Sequence, residues 1–84
     1  MQARLLSEIA GEIERTWPRV SFSAQPYLDA MSSLGKISDF HGLDPGREIV
    51  EYFLSNAASY KGEDARRIKS ELKAMLRASQ SDRS

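Results

Sequence analysis

Several groups of side chains in this chain of 84 residues are of types that can do chemistry, and their spacing decides which chemistry. The lone histidine, His41, lies in DFHGLD between Asp39 and Asp44. An imidazole flanked by carboxylates can ligate a metal or relay a proton, but metal motifs repeat their ligands at fixed helical or loop intervals, and this stretch matches none of them. A turn beside a glycine accounts for it. Glu8 and Glu12 stand one helical turn apart and could act as paired carboxylates; Arg4 and Arg15 are placed to neutralise them as ordinary surface pairs. The chain has no Gly-rich phosphate loop, GxSxG elbow, HExxH or Cys–His pair. No catalytic residue, cofactor or metal site is therefore expected, and a chain this short has little room for a deep substrate pocket.

Two groups remain. Arg66, Lys69, Lys73 and Arg77 fall in one stripe when residues are set about 100° apart, whereas Arg67 turns to another side with Glu63 and Glu71. Such a basic patch can select an acidic partner or contact phosphates; as a plain solvated face it would only complement the helix dipole. Tyr52 projects roughly 130° from the centre of its helix's apolar stripe. Its neighbours there are Glu48, Glu51, Ser55 and Asn56. Either the first helix or a connector covers this ring, or it anchors a partner together with Glu48 and Asn56, since tyrosine is favoured at interfaces.

The elements that must position these groups read as helices. Leu5, Leu6, Ile9, Ala10, Ile13 and Trp17 recur at helical spacing until Pro18 ends the run. Val20 and Phe22 follow in a connector and are expected to plug one end of the core. Ser23 is the expected N-cap of a second helix with Pro26 in its first turn, running from about residue 24 to 41. Gly35 either breaks that helix or is carried inside it at about 1 kcal/mol. Asp44 as N-cap and Pro45 as first residue start a third helix, with Ile49, Val50, Phe53, Leu54 and Ala57 as its stripe and Gly62 as its stop. Glu63 and Asp64 open a fourth, carrying Ala65, Ile68, Leu72, Met75 and Leu76 inward. The expected fold is all-α: a compact four-helix bundle, one domain over 1–77, with a disordered tail at 78–84. Leu5, Ile9, Ile13, Trp17, Met31, Leu34, Ile49, Val50, Phe53, Leu54, Ile68, Leu72 and Leu76 form its expected core.

Composition narrows the setting. Without cysteine there is neither a disulfide nor a Cys-based zinc site. No apolar run approaches the roughly 20 residues of a membrane span, and the acidic N-terminal stretch does not resemble a signal peptide, so a cytoplasmic location is expected. Twelve basic and twelve acidic side chains cancel, but residues 1–60 hold five Lys/Arg against eight Asp/Glu and residues 61–84 hold seven against four. The halves carry about −3 and +3, an asymmetry that can mark a basic contact surface or favour self-association.

At PYLDAM (26–31), IVEYFLSNA (49–57) and ARRIKSELKAML (65–76) the chain resembles a group of short, uncharacterised helical proteins from actinobacteria and their phages. The resemblance covers about residues 17–77. It implies a bacterial or phage cytosolic setting and carries no activity, cofactor or catalytic residue. The stretch NAASYKGEDARRIKSEL (56–72) also has the outline of a helix–turn–helix, with Ala58, Gly62 and Ile68 at compatible positions. Lys61 in the turn and the acids Glu63 and Asp64 at the head of the second helix oppose that reading, because acids there repel DNA. The leading expectation is a non-enzymatic module that binds a protein partner or itself; a nucleic-acid-binding regulator using the corner at 56–72 is the alternative.

Overall fold

The computed structural model describes residues 4–81. Its first helix, α1 (Leu6–Thr16), starts on a cap taken from elsewhere in the chain. The amides of Leu6 and Ser7 donate to the carbonyls of Gly35 (2.8 Å) and Leu34 (2.9 Å), so backbone supplies what a capping side chain usually does. The Glu8 carboxylate reaches back to the Leu5 amide at 3.0 Å. Leu5 is therefore the extended N-cap and is 45% exposed, correcting its place in the expected core. Its neighbour Leu6 is buried instead, with Ile9, Ala10 and Ile13 following on the same face. The helix ends at Trp17, ahead of Pro18.

The second helix, α2 (Gln25–Met31), is much shorter than its sequence spacing suggests. Its N-cap is Ala24 rather than Ser23: the fully buried Ala24 packs inward while the Ser21 carbonyl accepts from the amides of Ala24 and Gln25. Pro26 lies in the first turn as expected. Beyond Met31 the hydroxyls of Ser32 and Ser33 bond to the carbonyls of Asp29 (2.6 Å) and Ala30 (3.0 Å), the local competition by which serine weakens helices. The Asp39 carboxylate then accepts from the amides of Gly35 (3.2 Å) and Lys36 (2.9 Å), closing a loop where the helix would have continued.

A hairpin follows, which the all-α expectation lacks. β1 (Phe40–His41) pairs antiparallel with β2 (Asp44–Pro45), Phe40 opposite Pro45 and His41 opposite Asp44. Gly42, at φ +64°, takes the first of the two loop positions, where a type II′ turn calls for glycine. Asp44 is thereby a strand residue, and Pro45 becomes the N-cap of α3 (Gly46–Ser55). Gly46 is held tightly: its amide donates to the Asp39 carbonyl at 2.7 Å, and a Cβ there would lie 2.8 Å from the Ile37 carbonyl oxygen. Ile49, Val50 and Phe53 are the buried stripe of α3.

α3 stops at Ser55, well before Gly62, because the Asn56 side chain turns back to the Tyr52 carbonyl at 2.8 Å. The connector 56–62 is not a plain turn: it buries Ala57 and Tyr60. α4 (Glu63–Ser81) opens on the two expected acids and runs past the expected boundary at 77. Residues 78–81 are thus helical, and 82–84 of the expected tail lie outside the described residues.

Leu6, Ile13, Trp17, Leu28, Met31, Phe53, Tyr60, Ile68 and Leu72 meet in one core, with Leu54 and Leu76 half-buried at its margin. Phe22, expected to plug that core, is 97% exposed, and only Val20 of the pair packs against it. The structure is thus mostly helical, four helices and a small two-stranded sheet around one core. Its radius of gyration, 11.9 Å, matches that of a compact chain of this length.

Two glycines make opposite predictions for urea denaturation. Gly46→Ala should lower stability by about 1–3 kcal/mol, since the added methyl meets fixed backbone. Gly11→Ala, whose Cβ would be 3.6 Å from the flexible Arg15 side chain, should raise it by about 0.5–1 kcal/mol.

Candidate functional site

Tyr60 holds the corner between α3 and α4. Its ring stacks on Trp17 at 4.9 Å between centroids, and Trp17 meets Phe53 edge-on at 6.2 Å. The Tyr60 hydroxyl shares a 2.7 Å hydrogen bond with the Thr16 hydroxyl. Burial raises the phenol's pKa, an effect partly offset by that bond. From α4 the Lys69 ammonium donates to the Tyr60 carbonyl at 2.6 Å and lies 5.7 Å from the ring centroid. One side chain thus joins the end of α1, the connector and α4.

Against this corner lies an open groove of about 280 Å³ lined by Tyr60, Lys61, Gly62, Ala65, Arg66 and Lys69. Three of its six lining residues are cations and none is a carboxylate. Desolvation lowers the Lys69 pKa, and repulsion from Lys73 and Lys61 lowers it further. Those three ammonium groups therefore belong to one electrostatic cluster. Of the basic patch expected from the sequence, Arg66, Lys73 and Arg77 are exposed and Lys69 is half-buried at the Tyr60 carbonyl. Lys61, outside the helical stripe, joins them through the fold.

Two carboxylates of α4, Asp64 and Glu71, are drawn the other way. Glu71 receives a two-point contact from Arg4 at 3.0 and 2.7 Å, and Arg4 also bonds Glu12 of α1 at 2.8 Å. Glu12 is shared with Arg67, which reaches Asp64 at 3.2 Å as well. Arg67 and Arg4 hold the Glu12 pKa below the usual glutamate range. Glu71 and then Glu12 raise the Arg4 pKa. Glu12 is thus the junction between two helices, held by Arg4 and Arg67. Glu8 is occupied at the Leu5 amide, so the simple pairing of Glu8 and Glu12 with Arg4 and Arg15 holds only for Arg4 and Glu12.

Tyr52 is 52% exposed, and its ring tilts against Tyr27 of α2 at 5.5 Å. The cover over one side of this ring therefore comes from α2, not from the first helix or a connector. Glu48, half-exposed in the first turn of α3, and Asn56, at its end, flank Tyr52 along the helix. A further contact brings in a residue that the sequence stripe did not single out: the Ser21 hydroxyl donates to the Asn56 carbonyl at 3.0 Å, drawing the backbone beside Phe22 to the end of α3.

The helix–turn–helix outline does not match in detail. Ala58 lies outside α3, and seven residues, 56–62, separate the helices where such motifs use a tight turn. His41 is exposed on the hairpin, and among the described residues no three His, Cys, Asp or Glu side chains gather as a metal cluster. Nor, among these residues, is any helix long and apolar enough to cross a membrane. Neither a family model, nor a curated protein, nor a solved structure matches this chain.

Two measurements check this geometry. Tyr60→Phe should lower stability by about 0.5–1.5 kcal/mol through loss of the Thr16 bond. Tyr60→Ala should cost about 3–5 kcal/mol and shift Trp17 emission to the red as that ring loses its cover. The second is acid titration. Because the folded pKa of Glu12 is depressed, its contribution is complete above the unfolded value and is lost as pH falls through the folded one. Below about pH 4.5 the urea midpoint of the wild type should fall more steeply than that of Glu12→Gln.

Proposed function

We propose that this chain is a small non-enzymatic interaction module whose contact face carries Phe22, Tyr27 and Tyr52. One observation supports the reading above the others: Phe22 is 97% exposed on a segment tied to the end of the helix that bears the half-exposed Tyr52. A single exposed apolar residue needs no explanation, but Phe22 follows directly on Ser21, which is bonded to the end of the helix bearing Tyr52, the ring partner of Tyr27, and exposed aromatics are favoured at contact surfaces. Tyr52, braced by Tyr27, loses little side-chain freedom on binding, which suits it to anchor a partner.

Glu48 and Glu51 beside Tyr52 favour a protein partner with an apolar socket edged by cations. A second copy, offering its own basic α4, is the self-associating form of the same reading. As the sequence resemblance implies, the module would act as a four-helix bundle in the cytosol of a bacterial or phage-infected cell. A nucleic-acid-binding regulator is the second reading, favoured by the cationic groove at the α3–α4 corner.

Photo-crosslinking in cells tests the leading reading. A crosslinking amino acid at Phe22 or Tyr52 should give a discrete adduct with one protein or with a second copy, whereas the exposed α1 position Glu14 should not. Equal adducts from all three positions, or none from Phe22 and Tyr52, would remove the contact face.

A further inference from the structure

The groove at the α3–α4 corner and the cations that continue from it along α4 make a second surface, separate from the aromatic one. We propose that Lys61, Arg66, Lys69 and Lys73 bind the sugar–phosphate backbone of a nucleic acid. This inference takes up the second reading and is independent of the protein-binding face.

Charge segregation on α4 carries the argument. Arg67 and Arg4 occupy Asp64 and Glu71 on the side turned to α1, while the groove is lined by Lys61, Arg66 and Lys69 without a carboxylate. A chain of zero formal net charge therefore presents a local field of one sign. Lys73 and Lys61 both act on Lys69, so the cluster carries mutual repulsion that a polyanion would relieve. The Tyr60 carbonyl fixes the Lys69 ammonium at 2.6 Å, and an ammonium with three N–H donors retains others for a phosphate oxygen. Access is open as well: a Cβ built on Gly62 meets nothing within 4 Å.

The shape favours a strand over a compact anion. From Arg66 to Lys73 the helix rises about 10 Å, and duplex DNA carries a phosphate about every 3.4 Å of axis on each strand. The row thus offers three cations to successive phosphates of one strand, whereas a single phosphate would use the groove alone. Tyr60 is 1% exposed, so its ring gives no stacking platform for bases, and the contact is to backbone without sequence preference. Glu63, exposed at the first position of α4, limits the row at that end.

Fluorescence anisotropy of a labelled duplex of arbitrary sequence tests this with the full chain. With about three phosphates neutralised, affinity should fall about 40-fold between 50 and 200 mM salt, and Lys61→Ala, Arg66→Ala or Lys73→Ala should each flatten the logarithmic salt slope by about one. Glu63→Gln should strengthen binding, and Tyr52→Ala should leave it unchanged, which separates this surface from the protein-binding face. Absence of binding at 50 mM salt, or a salt slope indifferent to the three cation variants, would overturn the proposal. So would equal affinity for inorganic phosphate or a phosphopeptide.

Discussion

The stacking of Tyr60 on Trp17 ties together parts of the chain that no helix periodicity connects. Aromatic pairs of this kind add about 0.5–1.5 kcal/mol beyond the area they bury, but here the larger effect is positional. Trp17 closes α1, Tyr60 sits in the α3–α4 connector, and Lys69 of α4 is drawn onto the Tyr60 carbonyl. The connector and, through Lys69, α4 are therefore set against the end of α1 at one residue, and the groove takes its shape from that corner. With a core as small as a chain of 84 residues allows, a residue that serves three elements has no substitute among the neighbouring aliphatics.

The second organising constraint is electrostatic. Glu12 receives two guanidinium groups, Arg4 and Arg67, which also hold Glu71 and Asp64 of α4. These pairs are at the surface, where each contributes little to stability. Their importance lies in what they remove from the field: Asp64 and Glu71 are balanced by guanidinium groups, which leaves Glu63 as the acid of α4 at the end of the cation row. The aromatic face around Tyr52 is set by other contacts, through Tyr27 and Ser21, and lies on α2 and α3.

Periodicity makes α1, α3 and α4 readable, because each carries apolar residues at intervals of three and four, with Pro18 closing α1 and Glu63 and Asp64 opening α4; the end of α3 at Ser55 has no such signal. It fails where two adjacent apolar residues compete, as at Leu5 and Leu6, since the choice depends on which amides Leu34 and Gly35 engage. The end of α2 is hidden for a different reason. Ser32, Ser33 and Asp39 divert backbone groups into a loop through bonds that spacing alone does not reveal. At the site, the stripe Arg66, Lys69, Lys73 and Arg77 is legible from helical geometry, but the attachment of Lys69 and the arrival of Lys61 require the tertiary corner. Tyr60 leaves no mark in the sequence, being a lone aromatic in a connector. Phe22 misleads because hydrophobicity predicts burial only where an element exists to cover it.

The cap of α1 has a consequence for how this chain comes into being. A helix of 11 residues is marginal by itself in water, and here its leading amides find their acceptors at Leu34 and Gly35, beyond α2. During synthesis α1 emerges before α2, so its leading amides lack these acceptors until residues 34 and 35 have also emerged. The cap of the helix is thereby coupled to formation of the loop after α2.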